Sequence, residues 1–152
     1  MDELDCLALL NDFQEFRVPD AVWDEVTRHR PRALASASVI LKRVRATQHP
    51  STELEILCKV LNLHHGEMQA LLIAQDLPGC IVLTDDTAAR FAAKHLGIAS
   101  HGTIGITIRA IRRGRKGKEE VLAILRRIPV ASTLHIRAGL LEEIIREVEK
   151  HR

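Results

Sequence analysis

The residues of this chain best suited to chemistry lie in "CIVLTDDTAARFAAKHLG", positions 80 to 97. A short apolar run there ends in two adjacent aspartates, Asp85 and Asp86, and an Ala-rich segment opens directly after them. A helix N-terminus favours one acid, because its first N–H groups lack partners and the helix dipole is positive there. Capping accounts for one aspartate; it accounts poorly for two neighbours that repel, so a cation is the chemical alternative. Hard oxygen ligands of this kind suit Mg²⁺ or Mn²⁺. Glu67 heads the segment "HHGEMQALLIAQDL" (64–77), one turn ahead of Leu71 on the face shared with Ala70, Ala74 and Leu77. A first-turn dipole effect explains Glu67 structurally. An unpaired carboxylate on an inward face is expensive, however, and a metal or basic partner would relieve that cost. Glu25, one turn into "PDAVWDEV", is the third acid, with Asp24 pointing about 100° away around the helix. Carboxylates gathered around a divalent ion orient water and neutralise charge during phosphodiester cleavage.

Other reactive side chains form no such group. His64 and His65 are adjacent, diverge in direction, and have no third ligand spaced to join them. Ser100 and Thr103 lack the histidine–acid arrangement of a nucleophile. Neither GxGxxG nor GxxxxGK[ST] occurs. Cys6, Cys58 and Cys80 are far apart and odd in number, which suits reduced thiols in a cytoplasmic protein better than a disulfide framework or a zinc site.

The elements that must position these acids read as alternating helices and short strands. "LDCLALLNDF" (4–13) is a short helix, "FRVP" (16–19) an extended piece, and "DAVWDEVTRH" a helix with Pro19 at its mouth. Segment 33–45 reads as a further helix, and the pattern breaks into a loop around Pro50. Helix 64–77 ends at "PG", and "CIVLT" (80–84) is a buried strand. Helix 87–96 follows, with Ala88, Ala89, Phe91, Ala92 and Leu96 inside. An edge strand and turn occupy 97–105, and helices continue through "ITIRAIRR", 119–128 and 138–151. Helix, turn, apolar strand, helix is the grammar of a parallel sheet covered by helices, and acids just beyond a strand's carboxyl end sit where such sheets place their sites.

Composition allows one domain with a real core: 152 residues, 46 % hydrophobic. Only one Trp, three Phe and no Tyr are present, which disfavours base stacking as a recognition mode. The formal charge of +2 does not itself argue for nucleic acid, but "RAIRRGRKGK" (109–118) and "RHRPR" (28–32) concentrate cations that could touch phosphates. No apolar run is long enough for a bilayer, and the N-terminus lacks signal-peptide order.

"RVPDAVWDEV", "LHHGEMQALLIAQ", "IVLTDDTAARFAAKHLG" and "HGTIGITIRAIRRG" together resemble, in order, the signature segments of PIN-domain proteins. The likeness covers roughly residues 4 to 145. It is greatest to a small prokaryotic branch described as nucleic-acid-binding and related to the toxin ribonucleases of toxin–antitoxin pairs. The resemblance implies a three-layer α/β/α sandwich with a parallel sheet, filling 1–152 as a single domain. It also implies an RNA-cutting site that binds Mg²⁺ or Mn²⁺ through Glu25, Glu67 and Asp86. Asp85 stands beside that set, and Thr103 steadies it through its hydroxyl. RNA, an antitoxin protein and a second copy of the chain are the implied partners, with no membrane. One departure is large: the family opens with a buried central strand ending in an aspartate, and here the chain begins too late for it. Asp2 and Asp5 are no substitutes, since no apolar strand precedes either. Nuclease activity is therefore expected to be weak or absent, and the alternative is a non-catalytic nucleic-acid-binding or protein-interaction protein on a degenerate PIN-like fold.

Overall fold

The computed structural model describes residues 1–30, 32 and 39–150. Their elements are strand β1 (Phe16–Pro19), helix α1 (Asp20–His29), β2 (Leu41–Val44), α2 (Thr52–Val60), α3 (His65–Gln75), β3 (Ile81–Leu83), α4 (Thr87–His95), β4 (Ala99–His101), α5 (Thr103–Arg112), α6 (Lys118–Ala131) and α7 (Ala138–Lys150). Two 3₁₀ segments, Asp2–Leu4 and Leu7–Asp12, precede them. All strand pairing is parallel: β1 with β2, Phe16 opposite Leu41, and β3 with β4, Ile81 opposite Ala99. The fold is thus mixed α/β, with parallel strands flanked by helices, as in a PIN-like three-layer sandwich. The chain divides into two compact units, Phe13–Gly102 and Met1–Asp12 with Thr103 onward.

The unit Phe13–Gly102 holds all four described strands. Its core is Leu54, Leu71, Leu72, Ala74, Val82, Ala92 and Ala93, drawn from α2, α3, β3 and α4. Helix α3 touches β1, β3, α1, α2 and α4, so it joins both strand pairs. It meets α1 at close range: a Cβ added at Gly66 would lie 2.9 Å from Val22 Cγ2. The β1–β2 pair is laced by ion pairs. Arg43 reaches Asp20 (2.5 Å) and Asp24 (3.0 Å), Arg45 reaches Asp20 (3.1 Å), and Arg17 and Lys42 both reach Glu15.

The unit containing Met1–Asp12 packs the first 3₁₀ segment on α6 and the second on α5, with α6 also against α5 and α7. Leu4, Leu9, Leu10, Ile106, Ala110, Val121, Leu122, Leu125 and Ile128 are among its buried residues. Leu141 and Val148 are the buried ends of the α7 stripe, with Ile144 and Ile145 half-buried.

Three sequence expectations change. Of the helix expected over 33–45, positions 33–38 lie outside the described residues, and 41–44 are strand. Pairing with β1 and ion pairs to Glu15, Asp20 and Asp24 outweigh the helical preference of Leu, Lys and Arg there. Second, α2 forms where only a loop was expected in part; Ser51 caps it by accepting the Leu54 N–H at 3.2 Å. Third, Phe91 is 58 % exposed, while Ala89, Ala92 and Ala93 are buried. Helix α4 packs on α2 and α3 through small residues, which leaves the large ring outside.

Two measurements test this account. Leu71 has no exposed surface, so Leu71→Ala should cost about 2–5 kcal/mol in chemical denaturation. The Asp20 carboxyl is held below its ordinary range by hydrogen bonds from Arg43 and then Arg45, and Glu15 likewise by Lys42 and then Arg17. A lowered folded value stabilises above the unfolded carboxylate range and is lost as pH falls through the folded one. Melting temperature should therefore hold at neutral pH and drop below about pH 4. Asp20→Asn should flatten part of that drop.

Candidate functional site

The acid-bearing segments come together by the logic of helix ends. Helix α4 follows β3 after a three-residue step, and its first N–H groups need acceptors. Asp86 supplies one: its Oδ1 accepts the Ala89 N–H at 2.7 Å, and its own N–H donates to Thr84 Oγ1 at 3.1 Å. Asp86 is thus the N-cap of α4. The pairing with Arg90 that the i,i+4 spacing allows is not made. Glu67 serves α3 from inside its first turn: its Oε2 accepts the N–H of His64, the N-cap residue, at 2.8 Å.

Asp85 is exposed, and its carboxylate lies against the backbone of Gly102. A Cβ at that position would fall 2.6 Å from Asp85 Oδ1 and 3.4 Å from the Thr84 carbonyl oxygen, so glycine is what lets the acid settle there. Glu25 lies exposed on α1. Thr103 is buried at the start of α5, in the other unit, and its carbonyl accepts the Thr107 hydroxyl at 2.8 Å.

Sequence reasoning missed one positioning residue. Helix α1 begins after Pro19, which has no side-chain oxygen to cap with, and Gln69 of α3 provides the acceptor: its Oε1 takes the Ala21 N–H at 3.1 Å. Because that oxygen faces a donor, the Gln69 amide nitrogen faces His65 Nε2 at 3.0 Å. His65 Nε2 is therefore the acceptor of this bond and orients Gln69. The contact joins residues 48 positions apart, and nothing local in "HHGEMQ" announces it.

The donor set does not fit the divalent metal that the resemblance implies. Among the described residues no group of three or more His, Cys, Asp or Glu is placed to hold an ion. The expectation of Mg²⁺ or Mn²⁺ bound by Glu25, Glu67 and Asp86 is therefore corrected, and with it the reading as a metal-dependent ribonuclease. The physical reason is division of labour: Glu67 and Asp86 each complete a different helix end, and no third ligand converges on either.

The cationic stretch 109–118 is also largely occupied at home. Arg115 and Arg109 approach Asp12 at 2.8 and 3.8 Å, and Lys116 pairs with Glu120 at 3.0 Å. Lys118 donates to the Glu149 carbonyl at 3.2 Å. Glu120 also accepts the Gly117 N–H, and that bond, with Lys116 second, holds its carboxyl below the ordinary range. Arg112 and Arg113 stand exposed at the end of α5. No helix among the described residues is long and apolar enough to cross a membrane.

The fold and these segments agree with a direct comparison: a PIN-domain family model matches residues 1–150, and the chain belongs to the PIN-domain family. Comparison with curated proteins and with solved structures gives no match.

The cap and the ligand readings of Asp86 separate by mutation. Asparagine caps as well as aspartate, whereas alanine does not. Asp86→Asn should leave stability within a few tenths of a kcal/mol, and Asp86→Ala should cost about 1 kcal/mol. Urea denaturation of the two variants measures both.

Proposed function

We propose that this chain is a non-catalytic member of the PIN-domain family that acts by binding a partner protein. The absence of any three-ligand metal group among the described residues carries this reading, together with the use of Glu67 and Asp86 as helix caps. Protein is favoured over nucleic acid because half of the main cationic stretch is committed to acids within its own unit, Arg109 and Arg115 to Asp12 and Lys116 to Glu120. Phosphate contacts need cations with unspent charge. Binding of RNA is the second reading, and the exposed Arg112 and Arg113 are the observation that favours it.

Within the family we place the chain beside the small branch related to toxin ribonucleases, and we read its two strand pairs as unjoined. Support comes from the strand pairing: β1–β2 and β3–β4 form separate pairs, with no described strand joining them. Strand edges left open in this way invite covering, by a second copy or by another protein. The three free cysteines support a cytoplasmic setting, where thiols stay reduced.

Incubation with single-stranded RNA and millimolar Mn²⁺ should give no cleavage. Thermal melting in the same Mn²⁺ series should show no rise, since a ligand selective for the folded form raises the melting point progressively once its concentration exceeds its Kd. Robust cleavage that Asp86→Asn abolishes would sink the proposal. Steep loss of RNA affinity between low and moderate salt, removed by Arg112→Ala with Arg113→Ala, would move it to the second reading.

A further inference from the structure

Helix α4 and strand β4 border an open groove of about 630 Å³ whose lining contains none of the acids discussed above. Arg90, Phe91 and Lys94 line it from α4, and the backbone from Gly97 to Ser100 lines it from the strand side. Gly97, at φ +70°, makes the turn that sets the two walls against each other, with the Ile98 N–H returning to the Ala93 carbonyl at 2.8 Å. We propose that this groove binds an extended, acidic segment of a partner protein, which adds to β4 as a further strand. The proposal rests on the reading above that the chain works by binding protein.

Three observations converge on that occupant. The first is main-chain geometry. Among the described strands β4 pairs only with β3. The His101 carbonyl accepts the Thr84 N–H at 3.0 Å, so His101 faces β3. Neighbouring residues of a strand direct their N–H and C=O groups to opposite edges. Ser100 therefore presents both groups to the groove, the arrangement an added strand uses. The second is apolar surface beside that edge, where Phe91 is 58 % exposed and Ile98 half-buried. Alternate side chains of an added strand would pack there. The third is charge. Arg90 and Lys94 stand one turn apart on α4, both exposed, and neither enters an ion pair among the described residues. In the same unit Arg17, Lys42, Arg43 and Arg45 are all paired. Unspent cations beside an open edge select acidic segments and speed their encounter.

The test begins with selection of a phage-displayed random dodecapeptide library on the immobilised full chain. The leading peptide is then synthesised with a fluorescein label for anisotropy titration. Enriched peptides should alternate apolar and acidic residues. Arg90→Glu combined with Lys94→Glu should weaken binding about tenfold or more, and Phe91→Ala should weaken it independently. Both changes fall on exposed side chains, and unchanged melting temperatures confirm folding. Amide hydrogen exchange at Ser100 should slow in the complex. The proposal is overturned by a library that yields no acidic consensus, by binding that ignores both variants, or by unchanged exchange at Ser100. It is equally overturned if oligouridylate RNA occupies the groove with the same dependence on Arg90 and Lys94. Peptides that bind but ignore the variants would leave the protein-binding reading standing and remove only the groove. RNA cleavage with Mn²⁺ would remove the reading itself.

Discussion

Helix α3 is packed from more sides than any single apolar stripe can serve. It touches both strand pairs and three other helices, and Leu71, Leu72 and Ala74 are buried along it. A helix so enclosed must be apolar most of the way round. Most of its polar residues stand in the first turns, where backbone N–H groups of α3 and its neighbours need acceptors. Glu67 and Gln69 occupy that place, one bonded to the His64 N–H and the other to the Ala21 N–H of α1. Without them, two helix starts would lose these acceptors.

An acid at a helix start therefore has two possible owners, the helix and a cation, and the cap alone does not choose between them. A carboxylate that caps through one oxygen keeps a second for another partner. What decides is convergence. A hard divalent ion needs several oxygens at once, and the described residues bring no three candidate ligands together. The structural use of Glu67 and Asp86 thus stands on its own, without a metal to justify it.

Much of this was legible from the chain's punctuation. Pro19 before α1, "PG" after α3 and the apolar run of β3 each fix a boundary through local sterics and burial, and the elements fall close to where those signals put them. Strand β2 was not legible, because "LKRV" carries no alternation and owes its conformation to β1 and to acids as far away as Glu15. Helix α2 had its signal, Ser51 ahead of Glu53 and Glu55, but Pro50 concealed it. Glu67, Asp85 and Asp86 could be picked out as acids near helix starts, but whether they meet could not be read, since that depends on tertiary placement, and among the described residues no three candidate ligands do. Phe91 makes the same point in reverse: periodicity puts it inside, and only the close alanine packing of α4 shows that it is outside.

The two strand pairs also differ in electrostatics in a way the net charge of +2 hides. Around β1 and β2 the cations are met by Glu15, Asp20 and Asp24, so their fields cancel within a few ångströms. Beside β4 the cations Arg90 and Lys94 are unmatched among the described residues, and their field reaches about a Debye length into solvent. An edge strand flanked by unmatched charge of one sign repels a second copy of itself and attracts a strand of the opposite sign. Both pairs share one backbone arrangement, so discrimination between partners falls to these few side chains.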